Sequence, residues 1–426
     1  MIQCPHLIQE RGIFMSNAFL IGSYQFNNSP LYNFQLNRVV LWNHGDPAEV
    51  AARGKEITDF ASWERVLKEL SYQAERRKDW AAAAGYLRMA EFFMVPDTPE
   101  SRDVYDRAQE LFYANFAHLF SPQGGPIHRD EVPYESGTLP CWRITPSGDK
   151  RGTILFHGGN DSLLEEFTDL LLYLARGGYE ILAFEGPGQG AALRKSGLTF
   201  TPEWEKPVGA VLDFYGAEDV TIVGVSLGGE LAMRAAAMEP RIRRVVAWCV
   251  LPSIYGALMA DKPAEIRTTL EQLLSEKQRE KVLALYTGLS EQNPLFRWSI
   301  QHANYAYGTA DVYEYLQRAK AFTIEPVADQ ITQDVLLISA REDLMVGFDL
   351  YKEEIDLLKS ARTLEFAVPG AAIHGQAHCN MGNPQYILDL ILNWNNRLLQ
   401  YRLIYKTAAV SDGCGFLCIS GMRLIK

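Results

Sequence analysis

A run rich in β-branched residues, Val220 to Val225, ends in Gly224-Val225-Ser226-Leu227-Gly228, and an alanine-rich run, Glu230 to Met238, follows at once. The first run has the character of a buried strand and the second that of a helix, so this stretch predicts strand, tight turn and helix. No other stretch narrows the possible folds as far. A serine at the apex of such a turn adopts a strained backbone that costs about 1–3 kcal/mol and persists only where its surroundings hold it. Gly224 and Gly228 have no Cβ to collide as strand and helix close on each other. The serine Oγ is then lifted above the sheet, and the Leu227 amide at the helix N-terminus faces incoming negative charge. Gly-x-Ser-x-Gly also occurs as a plain turn with a bystander serine, so partners further along the chain decide its meaning.

The surrounding pattern alternates strands and helices. Residues 131–146 read as a hairpin around Gly137. Residues 152–156, 179–184, 244–250, 335–339 and 363–368 read as strands, and 167–176, 202–215 and 385–399 as helices. Short apolar strands alternating with helices predict an α/β fold, a mostly parallel, eight-stranded type of sheet covered on both faces. The Pro/Gly stretch Ser121 to Pro126 marks a boundary, giving a helical N-terminal region over 1–125 and the first part of the core over 126–251. In that region Trp63, Val66, Leu67, Leu70 and Ala74 recur at helical spacing, whereas residues 1 to about 45 show no clear period. Its many aromatics either pack on the core or roof a pocket for an apolar, ring-bearing substrate. Residues 252–333 interrupt the alternation with helical sequence, and an insertion of that size beside a catalytic edge is expected to be a lid. The core resumes over 334–406, and 407–426 is expected to be a loosely ordered tail.

The 426 residues are 47% hydrophobic and 22% charged, with a formal net charge of -11. That balance, without a Lys/Arg cluster, argues against a nucleic-acid surface. The longest uncharged apolar stretch, Val245 to Ala260, is short and interrupted by Pro252 and Gly256, so no membrane span is expected. The opening residues, with Glu10 and Arg11, lack the apolar core of a signal peptide. Six scattered cysteines fit a reducing, cytoplasmic setting, and Cys414-x-x-x-Cys418 has no second ligand pair that would make it a metal site.

An acyl-transfer serine needs a base, an acid to orient the base, and amide donors for an oxyanion. The base candidate is His378, in a loop after the last strand, with His374 as its competitor four residues earlier. The acid candidate is Asp343, just past the strand 335–339. Glu342 should point elsewhere, Asp334 lies at the wrong edge, and Asp349 belongs to the next helix. One oxyanion donor is Leu227. The other is expected from His157-Gly158-Gly159-Asn160, with Gly159 and Asn160 the candidates and His157 bracing the loop. Glu185-Gly186-Pro187-Gly188-Gln189-Gly190 lacks phosphate-loop spacing and reads as a structural turn along the same edge. Trp298, Tyr305 and Tyr307 are candidates for substrate contact, although such an aromatic stripe equally suits a core.

Phe156-His157-Gly158-Gly159-Asn160-Asp161-Ser162, Glu185-Gly186-Pro187-Gly188-Gln189-Gly190, Gly224-Val225-Ser226-Leu227-Gly228-Gly229 and Ala377-His378-Cys379 together resemble one branch of the α/β-hydrolase superfamily. That branch holds the fungal pigment hydrolases that shorten polyketide chains and the bacterial pseudooxynicotine-type carbon–carbon hydrolases. The resemblance covers about residues 50–400. It implies a Ser226–His378–Asp343 triad acting on the carbonyl of a polyketide-like or β-dicarbonyl small molecule, with no metal and no organic cofactor. It also implies secondary metabolism as the setting and a homodimer built through the helical regions. An acyltransferase using the same serine and a non-catalytic binding protein on the same scaffold are the alternatives.

Overall fold

The computed structural model describes residues 19–411 apart from 147, 250 and 261. The expectations for the first residues, for the segment 412–426 and for Cys4, Cys414 and Cys418 lie outside the described residues.

One eight-stranded sheet forms the centre. Its strands are β1 (Ile127–Tyr134), β2 (Gly137–Ile144), β3 (Gly152–His157), β4 (Tyr179–Phe184), β5 (Val220–Val225), β6 (Ile242–Trp248), β7 (Asp334–Ile338) and β8 (Thr363–Ala367), in spatial order β1-β2-β4-β3-β5-β6-β7-β8. The β1–β2 hairpin is antiparallel and β2 runs antiparallel to β4, while every remaining pair is parallel. Successive strand residues enter opposite cores. Ile154, Phe156, Val223, Val225, Val246 and Trp248 fill one, and Leu155, Ile222, Val245, Ala247, Val335 and Leu337 the other. A strand whose two faces are both buried reads as a continuous apolar run, the pattern of 220–225.

Five helices precede the sheet: α1 (Pro30–Leu41), α2 (Pro47–Arg53), α3 (Phe60–Arg76), α4 (Trp80–Glu91) and α5 (Pro99–Asn115). Thr98 caps α5 by accepting from the Ser101 amide at 3.1 Å, with Pro99 at the first helical position. The helix α1 falls where the sequence shows no period. Seven consecutive residues, Phe34 to Val40, are buried, so no polar face marks its axis. Within the core follow α6 (Thr168–Arg176), α7 (Gly190–Arg194), α8 (Glu205–Tyr215) and α9 (Leu227–Met238). Between β6 and β7 lie α10 (Ile254–Ala260), α11 (Ala264–Ser275), α12 (Arg279–Gln292), α13 (Pro294–Tyr307) and α14 (Val312–Ala319). These have a small core of their own, including Met259, Leu270, Leu274, Val282 and Leu316. The chain closes with α15 (Asp349–Leu357) and α16 (Pro384–Ser411). α16 is longer than the expected 385–399 and takes in 407–411, which the sequence assigns to a loose tail.

Ser226 lies between β5 and α9 with φ 60° and ψ -127°. A Cβ on Gly224 would lie 1.8 Å from the Gly228 carbonyl oxygen, and one on Gly228 would lie 2.5 Å from that of Gly158. Backbone atoms cannot move aside as a flexible side chain can. Gly224→Ala is therefore expected to lower stability by roughly 3 kcal/mol, the upper part of the usual overpacking range. Comparison of urea midpoints with the parent protein measures it.

Candidate active site

The carboxyl ends of β3, β5 and β7 and the loop before α16 converge on Ser226. Its Oγ lies 2.9 Å from Nε2 of His378, and Nδ1 of His378 lies 2.6 Å from Oδ2 of Asp343. With the imidazole neutral, Nδ1–H donates to the carboxylate and Nε2 accepts the serine hydroxyl. The other Asp343 oxygen accepts the amides of Met345 at 2.7 Å and Val346 at 2.9 Å, which fixes the carboxylate plane. Burial alone would lower the His378 pKa, but the adjacent Asp343 carboxylate outweighs it and holds the imidazole up at about 9. Asp343 is correspondingly held below its ordinary value, His378 overcoming the opposite effect of burial.

The competing side chains lie elsewhere. His374 and Glu342 are exposed. Asp334, at the start of β7, accepts from Arg362 and Thr363. Asp349 begins α15.

The His378 loop is shaped by a residue that the sequence does not single out. Asn380, fully buried with φ 48°, donates through Nδ2 to the carbonyls of Ser339 at 3.0 Å and Gly375 at 2.7 Å. Trp248 donates to its Oδ1 at 3.1 Å. The Glu342 amide donates to the Gln376 carbonyl at 2.8 Å, joining the loops that carry Asp343 and His378. Two buried thiols, Cys249 and Cys379, lie beside His378, their sulfurs and an imidazole nitrogen all within 4.8 Å of one another. Burial holds the Cys249 thiol well above its ordinary pKa, and its sulfur accepts the Cys379 amide at 2.7 Å.

On the other side of Ser226 lies the loop after β3. A Cβ on Gly159 would stand 2.9 Å from that of Ser226 and 3.1 Å from the Leu227 nitrogen, so only glycine brings this loop so close. The Gly159 amide itself donates to Ser162 Oγ at 3.0 Å, within the loop. Of the two donors expected there, Gly159 is thus engaged. Gln189, from the turn after β4, donates through Nε2 to the carbonyls of Gly158 at 2.8 Å and Gly159 at 2.9 Å. His157 is fully buried and its pKa is pushed down to about 4 by burial. It lies 3.1 Å from the Gly158 carbonyl and accepts from Trp204 at 3.3 Å.

The N-terminal helices and α13 also contact residues around the site. Phe34 lies edge-on to His378 with ring centres 6.1 Å apart. Trp298 packs at 5.1 Å from Phe93, 5.4 Å from Phe92 and 5.3 Å from His302. Tyr307 is core, against Phe200 and Phe322, but its hydroxyl lies 3.5 Å from Asn160 Oδ1. Tyr305 is partly buried beside the same core. Arg38 from α1 and Arg88 from α4 reach the loop after β3. Arg38 contacts Glu166 at 2.8 Å and Asp161 at 3.0 Å, and Arg88 contacts Glu166 at 2.9 Å and the Asp161 carbonyl at 2.6 Å. Burial would raise the Glu166 pKa, but the two guanidiniums outweigh it and hold the carboxyl at about 2.

In α9, four residues past Ser226, burial raises Glu230 to about 8, and Glu354 of α15 is raised beside it. A carboxyl whose pKa is higher folded than unfolded favours the fold fully only below its unfolded value, and this contribution fades as pH rises to the folded one. The contribution of Glu230 to stability is therefore expected to fall between about pH 4.5 and 8, and Glu230→Gln to remove that part of the pH dependence. Melting temperatures at pH 5 and pH 9 would measure it.

A family model described as the alpha/beta hydrolase fold matches residues 154–374, slightly more than half of the chain. Hydrolyase ccsE of Aspergillus clavatus is 27% identical over 414 residues, covering 84% of this chain and 94% of its own. Hydrolase ORFZ of Pyricularia oryzae is 30% identical over 271 residues, 58% of this chain, and the match spans 61% of that relative's length. Among solved structures, the 2,6-dihydroxy-pseudo-oxynicotine hydrolase superposes with a TM-score of 0.62 at 20% identity, over 85% of this chain and 95% of its own, a likeness of fold. Among the described residues, no helix is long and apolar enough to cross a membrane. The chain belongs to the α/β-hydrolase family.

Proposed function

We propose that this α/β hydrolase cleaves a small ketone, ester or thioester by way of an acyl-serine at Ser226, with His378 as general base and acid and Asp343 orienting it. The reading rests on one observation above all: the unbroken contact from the Asp343 carboxylate through His378 to a serine hydroxyl on a strained turn. The oxyanion donors in this reading are the amides of Leu227 and Asn160.

The substrate class proposed is polyketide-like or β-dicarbonyl, in secondary metabolism. The aromatic surroundings formed by Phe34, Phe92, Phe93 and Trp298 favour a ring-bearing molecule. The solved neighbour acts, by its name, on 2,6-dihydroxy-pseudo-oxynicotine. In the carbon–carbon case Ser226 Oγ bonds to the carbonyl carbon while its proton passes to His378. The carbon–carbon bond then breaks, its electron pair leaving as an enolate that a neighbouring carbonyl stabilises. His378 returns the proton to that enolate. Water, deprotonated by His378, releases the acyl group as an acid and restores the serine. The net change is substrate plus water to acid plus ketone, and it balances without a redox partner.

Ser226→Ala is expected to lower kcat on an activated ester by at least a thousandfold and to abolish labelling by a fluorophosphonate, with the fold unchanged by circular dichroism. Parent-like turnover in the folded variant would reject the nucleophile. Product analysis on a β-diketone, with and without an added alcohol, separates release of free acid from acyl transfer. The base form of His378 is the active one, so kcat/KM is expected to rise with pH through the imidazole's ionisation. In Asp343→Asn the raising influence is gone and burial remains, so the midpoint should move to lower pH while the plateau falls. A pH–rate profile of both proteins tests the shift.

A further inference from the structure

A buried charge cluster away from Ser226 joins the N-terminal helices to the loop after β3. Arg38 and Glu166, 128 positions apart in sequence, are both buried, and Arg38 reaches Asp161 as well. Arg88 holds the Asp161 carbonyl, and Asn43 donates to Glu166 at 3.1 Å. Asp161 is thus gripped at both its side chain and its backbone. It directly follows Asn160, whose amide is the second oxyanion donor in the reading above.

The peptide plane explains why this grip matters. The Gly159 carbonyl and the Asn160 N–H belong to one planar unit and point in opposite directions. Gln189 holds the carbonyl end of that unit from the hydrolase core. Arg38 and Arg88 hold the residue that follows it, from helices outside the core. The unit is therefore fixed from two sides, and one of them is the N-terminal region. A fork-shaped guanidinium suits this task, since it meets two carboxylates at once in fixed geometry.

We propose that Arg38 is a positioning residue for the reaction. By gripping Asp161 and Glu166 it aims the Asn160 amide at the oxygen that becomes negative when Ser226 attacks. The N-terminal helices thereby belong to the catalytic apparatus. The proposal rests on Ser226 being the nucleophile and on Asn160 supplying a donor.

The test is carried out on the full chain with an activated ester, a trifluoromethyl ketone and the unfluorinated ketone of the same skeleton. The trifluoromethyl ketone adds to an active serine and leaves an oxyanion; the plain ketone reports ground-state binding. Arg38→Met is expected to lower kcat at least tenfold with KM within about twofold, less than the hundred- to thousandfold that follows outright loss of a donor. Affinity for the trifluoromethyl ketone should fall by the same factor as kcat/KM, while affinity for the plain ketone stays constant. Arg38→Lys should recover part of both. Should Arg38→Met fail to fold, Asp161→Asn leaves the Arg38–Glu166 pair in place and should show the same split in smaller measure. A folded variant of either residue with parent kcat and parent trifluoromethyl ketone affinity overturns the proposal. So does a loss confined to KM or to melting temperature. Parent protein that resists fluorophosphonate, or Ser226→Ala that remains active, would instead overturn the nucleophile assignment itself.

Discussion

Lack of room around Ser226 is the constraint from which the rest of the site follows. The serine holds a positive φ because three glycines let backbone segments touch where any side chain would part them. Gly224 lets β5 meet α9, Gly228 lets α9 meet the loop after β3, and Gly159 brings that loop against the serine. The strain is kept because both faces of the sheet are packed, so relaxing the turn would disturb two apolar cores at once. What results is a hydroxyl with fixed direction, beside a helix N-terminus that favours negative charge.

Electrostatics then divide the neighbourhood into zones. His378 is drawn towards its charged form by Asp343, while His157, at the end of β3, is driven towards its neutral form by burial. Two imidazoles on one sheet edge thus differ because one has a carboxylate partner and the other a carbonyl and an indole. The same contrast separates Glu166, ionised between two arginines, from Glu230, raised by burial four residues past the serine. Where a partner charge is at hand it decides the state of the group, as for His378 and Glu166, and where none outweighs it burial decides, as for His157 and Glu230.

The central sheet and the elements that carry Ser226, Asp343 and His378 are the most legible in the sequence. Strands buried on both faces announce themselves as apolar runs, and Ser226, Asp343 and His378 each follow such a run or precede the closing helix. The structure puts these three in contact and leaves His374 at the surface. Features without a local pattern were not legible. α1 is wrapped by protein along most of its length, so Asn37 and Arg38 are buried and paired instead of marking an outer face. The Arg38–Glu166 pair spans 128 positions and leaves no trace in any window. Asn380 looks like any loop asparagine until its two carbonyl partners, from separate segments, are seen together. The engagement of the Gly159 amide depends on a serine three residues on, whose hydroxyl has several possible partners in an unfolded sequence.

The two helical additions to the sheet meet each other as well as the core, at Trp298 against Phe92 and Phe93. This seam makes their shapes interdependent. A bulkier ring on α13 displaces the aromatics near the end of α4, the helix that carries Arg88. Within a lineage, drift towards a new substrate must therefore be matched on both sides of the seam. Chimeras that exchange one addition alone break a shared surface, and those that exchange the pair keep it.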